Sequence, residues 1–506
     1  MRVDIELTSF TKGEVSPRLK GRIDYKGYYD ACDTLLNMVV LPQGGLTRRP
    51  GTLYSANAKS QVDADTTRVV PFQFKTTQAY ILEFGNNYIR FYKDKAQIVS
   101  GGSPVEVTTT YTTAELAALR FTQSADTLYI FSPTHKPATL TRSSHTVWTL
   151  ADFDAQDGPY LDLNTTATTL TLSGTTGSVT VTASATTGIN SDAGFKTTDF
   201  CRLIRFKAAG WGWLKITAWT STTVVTATVQ AAVNNGAGTI SAGTATTSWR
   251  LGKWSDTTGW PYLPTFWQQR LMAGGTDNQP NAIEGSQTGD FTNFAPTKSD
   301  GTVIDTNALS WILSDDQVNS MRWLSAAGSA QAMQLGMGTD GSEHILQAAT
   351  TSQALTPTSV QAYRETTLGS KAYVNALRIG KAVLFANAAG RKIMEWQFDW
   401  QVNGYRGVDR TVDSEHITHA LIADMAYQKN QLGIIWVLLG DGTLAGFTYL
   451  PEQQVFAFHR HELGGGYYSG NAVVESIAVI PATDQTYDEL WLVVKRTING
   501  AVARYV

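Results

Sequence analysis

The chain is poor in cysteine and in charged residues. Its 506 residues include two cysteines, Cys32 and Cys201, which excludes a framework of several disulfides and favours two reduced, buried thiols. Asp, Glu, Lys and Arg make up 16% of the residues, well below the usual ~25%. A surface with so little charge is expected of a protein that is covered by neighbouring chains, or of a highly stable extracellular β protein.

The sequence also lacks an excess of basic residues and any long apolar run. A formal net charge of -3 argues against a nucleic-acid binder with a basic face, although it does not exclude a channel through which DNA slides without being gripped. No apolar run is long enough to cross a membrane, and the first residues contain no apolar segment of a signal peptide. We therefore expect synthesis in a cytoplasm.

Motifs of catalysis and of cofactor or metal binding are missing as well. The sequence has no GxSxG, no P-loop and no GxGxxG between a strand and a helix. Two histidine pairs, His416 with His419 and His459 with His461, have neither nearby cysteines nor an HExxH helix beside them. We therefore predict that the protein is not an enzyme and has no cofactor and no metal site.

Four carboxylates lie close together in the sequence, and paired acids are the signature of glycoside hydrolysis. They are Asp399, Asp409, Asp413 and Glu415. In a loop, such a group is usually solvated or paired with nearby arginines, so we interpret these acids as surface charges.

Strand signals dominate what is present. Apolar runs flank turn residues at 85–87, at Asp441-Gly442 and at Asn499-Gly500, which predicts three β-hairpins. The best helix signal is residues 112–119, with Thr113 as a candidate N-cap. Strand pairs recur every few tens of residues, as they do in propeller blades, so the chain is predicted to be mainly β with a β-propeller-like body.

Composition changes sharply near residue 163, where a Thr-rich stretch with alternating Thr and Val begins. Such alternation suits a half-solvated strand better than a flexible linker. We therefore predict an inserted Ig-like or small β-sandwich domain at 163–249, between body segments at 1–162 and 250–506.

Several blocks of the sequence resemble one family in order and spacing. They are SFTKGEVSP at 9–17, GRID at 21–24, LNMVVLPQGG at 36–45, RRPGT at 48–52, FTQSADTLYI at 121–130, GWP at 259–261, QRL at 269–271, GGT at 274–276 and GDF at 289–291. Together they resemble the tail nozzle family, also called tail tubular protein B or tail hub, of short-tailed phages (podoviruses) and prophages. The Thr-rich insert lies outside this resemblance.

The resemblance implies a structural protein of the virion, located at the distal end of the tail. A homo-hexamer would form the nozzle, enclose and gate the channel for DNA ejection, and bind the adaptor ring and the tail fibres or spikes. Genomic DNA would pass through the lumen without specific binding. Candidate subunit or adaptor contacts are Arg22, Arg48, Arg49 and Pro50; the two adjacent arginines precede a proline, which favours an extended loop.

Two other classes of function stay open from the sequence. The insert could be a carbohydrate-binding module that recognises host envelope glycans through Trp211, Trp213 or Trp219. Alternatively, the chain could be a glycan or peptidoglycan hydrolase that uses Asp399 and Asp409. Each alternative predicts its own measurable property, glycan binding by the insert or turnover that is lost when either acid is replaced.

Overall fold

The computed structural model describes residues 7–207, 210–230, 242–314, 316, 320–329, 332–350 and 353–506. The regular secondary structure of these residues is almost entirely antiparallel strand. The described part contains no α-helix, and no helix in it is long and apolar enough to cross a membrane. The prediction of a mainly β chain is confirmed.

In the part of the chain that the structure describes, the body consists of seven sheets that follow one another along the sequence, and most are four-stranded meanders in which neighbouring strands pair in sequence order. Sheet 1 consists of Arg68–Lys75, Gln78–Gly85, Tyr88–Lys93 and Glu106–Thr108, and sheet 2 of Arg120–Ser124, Thr127–Phe131, Ala138–Arg142 and Trp148–Asp152. Sheet 3 consists of Leu263–Trp267, Arg270–Gly274, Ala282–Gly285 and Leu309–Ile312, and sheet 4 of Met321–Ser329, Ala332–Thr339, Glu343–Ala348 and Val360–Thr366. Sheet 5 consists of Leu377–Ile379, Ala382–Ala386, Ile393–Asp399 and Gly404–Asp409, and sheet 6 of Ile422–Gln428, Ile434–Leu439, Leu444–Leu450 and Val455–His461. Sheet 7 consists of Val473–Pro481, Asp488–Ile498 and Ala501–Tyr505.

The sheets pack face to face in a closed ring. Each pair of neighbours shares one apolar core: for example, Phe72 and Trp148 join sheets 1 and 2, and Trp323 and Trp396 join sheets 4 and 5. The last core joins sheet 7 to sheet 1, and the first strands of successive sheets lie against one another around the centre. This arrangement is a β-propeller with seven blades.

The ring is closed by a segment from the N-terminal part of the chain. Sheet 7 has three strands of its own, and residues 55–58 pair with its last strand: the Ala58 N–H donates to the Arg504 carbonyl (3.0 Å), and the Val506 N–H donates to the Ala56 carbonyl (3.0 Å). Residues near the beginning and the end of the body therefore pair with each other and close the ring.

The described residues of the insert form a separate six-stranded sheet with its own core of fifteen buried residues. Its strands are Leu170–Leu172, Ser178–Ala183, Leu203–Lys207, Trp211–Ser221, Val224–Gln230 and Trp249–Leu251. The sheet curls around this core, because Thr246 pairs with Leu170 while Leu251, from the strand that follows, pairs with Ile204. Tyr160 pairs with Gly252, so the insert leaves and rejoins the body at one place between sheets 2 and 3.

Short elements complete the fold. Short strands of two or three residues pair with each other: Gly13–Glu14 with Ala31–Cys32, Met38–Val40 with Leu46–Arg48, Val99–Ser100 with Ser103–Pro104, and Gly466–Tyr467 with Gly470–Asn471. The short strand Ala96–Gln97 is added to sheet 1. The 3-10 helices are Pro17–Leu19, Tyr28–Asp30, Thr113–Ala118, Thr197–Asp199, Val412–Ser414, Ile417–Ala420 and Pro451–Gln453.

The local predictions can be compared directly with these elements. All three predicted hairpins are present, with register pairs Gly85↔Tyr88, Leu438↔Leu444 and Ile498↔Ala501. The predicted helix is a 3-10 helix, and its cap is Thr112 rather than Thr113, since Glu115 accepts hydrogen bonds from both the N–H and the hydroxyl of Thr112.

Candidate interaction surface

The N-terminal segment lies along the outer edge of sheet 6 and is fixed there by Glu14. This side chain is fully buried and accepts hydrogen bonds from the Leu35 N–H (2.8 Å), from Arg460 Nε (2.8 Å) and from His416 Nε2 (2.9 Å). Burial acts to raise the pKa of Glu14, but these hydrogen bonds outweigh it and hold the pKa below its usual range. Gly13, beside it, has φ +64, and a Cβ there would lie 2.5 Å from the Phe458 carbonyl oxygen.

Two of the four clustered carboxylates anchor the same segment. Asp413 accepts a hydrogen bond from the Tyr25 hydroxyl (2.5 Å), and Glu415 accepts one from the Ser16 hydroxyl (2.9 Å). Their role in this structure is therefore to hold residues 16–25 against the body.

The other two carboxylates, Asp399 and Asp409, do not meet. They lie at opposite ends of the last hairpin of sheet 5, since Asp399 pairs with Gly404 and Asp409 lies five residues further along that strand. At about 3.3 Å per residue this separates them by roughly 17 Å, beyond the ~5–9.5 Å of glycosidase pairs. Asp399 pairs with Arg406 (3.0 Å) and Asp409 with Lys392 (3.0 Å).

The four predicted contact residues occupy two places. Arg22 is exposed and pairs with Asp24 (2.7 Å) near the anchored segment. Arg48 is exposed at the end of a short strand, and Arg49 and Pro50 follow it at the rim of a groove. None of the four has been tested as a contact, so their role stays a prediction.

The groove lies between sheets 6 and 7 and has a volume of about 470 Å³. Residues 49–55, which we call the strap, cross it on their way to the closing pair of sheet 7. The floor is mainly apolar. It is formed by Trp436, Leu444, Leu463, Leu490, Trp491 and Val494.

Two arginines line this apolar groove without an acidic partner. Among the described residues, neither Arg49 nor Arg496 forms an ion pair with a carboxylate, and the Nε of each is buried without a hydrogen bond. Arg49 donates to the carbonyls of Pro50 (2.9 Å) and Glu462 (3.3 Å), while Arg496 lies over the Tyr505 ring (5.8 Å). The lining also includes Lys95 and the carboxylates of Asp488 and Glu489, so the groove combines an apolar floor with charges of both signs.

The His459–His461 pair lies behind the groove, where both rings contact Trp436. Both rings are buried on one face of their strand, with Nδ1 of His459 and Nε2 of His461 2.6 Å apart. Burial lowers the pKa of His459 to about 3; burial, His459 and Arg49 together lower that of His461 to about 2. His416 instead contacts Glu14. Among the described residues no group of three potential metal ligands comes together.

The centre of the ring carries further arginines. Arg120 has an exposed fraction of 4% and donates through Nη1 to the carbonyls of Ala117 and Leu119. Arg68 donates to the carbonyls of Leu116, Ala117 and Leu119. Burial, reinforced by Arg68, lowers the pKa of Arg120 to about 9. Both side chains hold the end of one 3-10 helix.

The three insert tryptophans do not form one platform. Trp213 is buried, and Trp211 is partly buried beside the guanidinium of Arg205 at 5.2 Å. Trp219 is 42% exposed and donates from Nε1 to the Phe195 carbonyl. An array of stacking rings for a sugar is therefore not present on these residues.

Sequence reasoning did not single out Glu14, the groove or Arg496. Glu14 lies within one of the sequence blocks that resemble the nozzle family, so the block itself drew notice. Its hydrogen-bond partners, however, are up to 446 positions away in the sequence. No local pattern indicates a groove whose walls come from residues 49–55 and 428–506.

Comparison with known proteins identifies no family for this chain. No family model and no curated protein matches the chain. One similar solved structure is the β-propeller domain of Cps50 (Swd1) from Myceliophteria thermophila, with 9% sequence identity, 76% of this chain and 96% of that chain covered, and a TM-score of 0.34. A likeness at this level carries no argument, so the propeller assignment is based on the closed ring of seven sheets.

Proposed function

We propose that this chain is a structural subunit that works by packing against other chains, as a component of a phage tail nozzle. The observation that carries the proposal is a set of large apolar side chains that are exposed on the surface, several of them on the N-terminal segment and on one hairpin. Ile23, Leu53, Tyr54 and Val62 are exposed before the first sheet, and Phe398, Trp400 and Val402 are exposed at the tip of sheet 5.

Such surfaces favour assembly for a physical reason. Leaving large apolar side chains in water is unfavourable by about 25 cal/mol for each Å² that a partner would cover. Grouped exposed apolar residues are typical of protein interfaces. The low charge fraction of 16% points the same way, because a surface that is covered by neighbours needs little charge.

The sequence blocks that resemble the nozzle family supply the finer part of the proposal. In it, six copies form the ring, the anchored segment with Arg22 and the Arg48–Arg49–Pro50 loop contact a neighbouring subunit or the adaptor, and fibres or spikes bind nearby. DNA passes through the lumen of the hexamer. Catalysis has no part in this function.

The test is to locate and count the chain on phage particles encoded with its gene. We expect an antibody against this chain to label the distal tail in electron micrographs, and quantitative mass spectrometry to give about six copies per particle. The same antibody with particles that lack the gene is the control. Label on fibres in multiples of three, or no label on particles, would refute the proposal.

A further inference from the structure

Three cations surround one indole ring on the face of the insert sheet that points away from its core. Arg205 and Lys207 lie two residues apart on one strand, so their side chains share a face. Arg250 is the register partner of Arg205 on one neighbouring strand. Trp211 is the register partner of Lys207 on the other neighbouring strand. The centre of the indole ring lies 5.2 Å from the Arg205 guanidinium, 5.8 Å from Lys207 Nζ and 5.9 Å from the Arg250 guanidinium. We call Arg205, Lys207 and Arg250 the cation cluster.

The cation cluster is unfavourable by itself. Arg205 and Arg250 lie directly opposite each other on paired strands, and like charges at such positions destabilise a sheet. Burial lowers the pKa of Arg250, and the charge of Arg205 lowers it further. Negative charge that comes close to the cluster therefore stabilises it.

A nearby carboxylate of the chain supplies part of this charge. The buried Asp157 pairs with Arg205 (3.3 Å), whose Nη2 also donates to the Thr297 carbonyl (2.9 Å). Asp162 is exposed and favours the charged form of Arg250, but it forms no ion pair with it. Of the three cations, Arg205 is therefore the one that is paired directly.

The body contacts the indole through one loop, and that loop adds charges of both signs. The Trp211 N–H donates to the Ser299 carbonyl (2.7 Å), and Lys298 and Asp300 flank this serine in the sequence. The Asp300 carboxylate accepts a hydrogen bond from the Thr302 N–H (2.8 Å), and the charge of Lys298 contributes to the lowered pKa of Asp300. These two charges offset each other, so the loop leaves the balance of the cation cluster unchanged.

The two other cations have no direct partner. Among the residues that the structure describes, the side chains of Lys207 and Arg250 donate no hydrogen bond and form no ion pair, and Arg250 Nε is buried. Lys207 is exposed and Arg250 is half-buried, so both can be reached from the surface. Two adjacent positive charges match a phosphate dianion, which carries about 1.5 to 2 negative charges at pH 7 and has three strong acceptor oxygens.

We propose that Lys207 and Arg250 bind a phosphate dianion beside Trp211, either a free phosphate ion or the phosphate group of a small phosphomonoester. The guanidinium suits phosphate oxygens because its donors form a planar fork, and the lysine ammonium adds a second positive charge on a flexible stem. Arg205 stays paired with Asp157 and adds positive potential from behind. The site lies on the insert and does not depend on the proposed function of the chain.

The experiment is isothermal titration calorimetry on the full-length chain at pH 7.5 in Tris buffer. The probes are inorganic phosphate, glucose 6-phosphate and dimethyl phosphate. We expect the first two to bind saturably, with a single phosphate per chain. Dimethyl phosphate carries one negative charge, so it should bind at least about tenfold more weakly. Tighter binding of glucose 6-phosphate than of inorganic phosphate would assign the site to a phosphomonoester, and the reverse order or equal affinity would assign it to the free ion.

Four variants test the residues. Lys207→Gln and Arg250→Gln should each bind phosphate at least about tenfold more weakly, because each loses a charge-assisted hydrogen bond. Lys196→Gln removes an exposed lysine elsewhere on the insert, so this matched control should bind like the wild type. Asp162→Asn should bind phosphate more tightly, because it removes a carboxylate that competes for Arg250. Circular dichroism shows whether each variant is folded; because Lys207 is exposed, Lys207→Gln tests the proposal even if Arg250→Gln does not fold.

Three results would overturn the inference. The first is no saturable binding of inorganic phosphate or glucose 6-phosphate up to about 10 mM. The second is a folded Lys207→Gln or Arg250→Gln variant that binds phosphate as tightly as Lys196→Gln does. The third is binding of dimethyl phosphate as tight as that of glucose 6-phosphate, because a site that accepts singly charged diesters would instead suit a nucleic-acid backbone.

Discussion

The buried histidine pair makes the stability of this protein depend on pH in a window where few other groups titrate. His459 and His461 are neutral in the folded state down to a pKa of about 3 and about 2, whereas in an unfolded chain a histidine takes up a proton below about pH 6.5. The unfolded state therefore binds more protons as the pH falls. Stability is fully present above pH 6.5 and is lost progressively as the pH drops towards 3.

The magnitude follows from linkage. Between pH 7.5 and 5.5 each such histidine lowers the free energy of unfolding by roughly 1 kcal/mol, and the pair lowers it by between about 2 and 3 kcal/mol. This amount changes little if the folded pKa values are a unit higher, because both stay well below 5.5. Glu14 favours the charged form of His459 and Arg49 opposes that of His461, but burial is the larger cause for both.

The assay is urea unfolding followed by fluorescence and circular dichroism at pH 7.5 and at pH 5.5. Three forms are compared: the wild type, the double variant His459→Gln/His461→Gln, and His419→Gln as a control at an exposed histidine. Each form is compared with itself at the two pH values, so the packing cost of a substitution cancels. We expect the double variant to lose about 2 to 3 kcal/mol less than the other two forms. Equal losses in all three would refute the reasoning, since the imidazoles would then titrate normally inside the fold.

Three further predictions follow from the packing. Lys253→Met should lower the free energy of unfolding by about 3 to 5 kcal/mol, because it leaves the buried Glu284 carboxylate, 2.5 Å from the lysine, without its cation. Urea unfolding measures this loss, with the surface variant Lys207→Met as the control, and a loss below about 1 kcal/mol would contradict the prediction. Removal of residues 502–506 should cost several kcal/mol, at about 1 kcal/mol per hydrogen bond, because residues 55–58 lose their partner strand. Differential scanning calorimetry should show a markedly lower melting temperature, and an unchanged one would argue that the ring does not need this closure. Replacement of residues 163–249 by two glycines should leave a folded body, and the isolated fragment 161–252 should fold, because the ends of the insert are paired at Tyr160 and Gly252. Circular dichroism and NMR chemical-shift dispersion of the shortened chain and of the fragment test this prediction. Glycan arrays probed with the fragment test the carbohydrate-binding alternative.

Local chemistry made part of the fold predictable. Asp441-Gly442 and Asn499-Gly500 are turn pairs with the glycine at positive φ, and each joins two strands in the structure as expected. The helix at 112–119 was harder, because the choice between α and 3-10 hydrogen bonding, and between Thr112 and Thr113 as cap, depends on contacts that a short stretch of sequence does not contain.

The candidate surface was less accessible to sequence reasoning. The Arg48–Arg49–Pro50 loop stands out in the sequence, yet its neighbours in the groove, such as Trp436 and Arg496, are several hundred residues away. The acidic cluster shows the opposite case. Asp399 and Asp409 are close in sequence but lie at opposite ends of a hairpin, so proximity along the chain suggested a site that the register excludes.

The class of structure follows from the amino-acid sequence alone. Period-two apolar patterns, turn residues and the scarcity of helix signals specify antiparallel strands, because side-chain alternation and turn geometry are properties of a few consecutive residues. Three features became apparent in the folded chain: seven sheets close into a ring, residues 55–58 complete the last sheet, and a groove opens under the strap. Those features depend on which apolar faces meet across long stretches of chain, and that choice is made by packing.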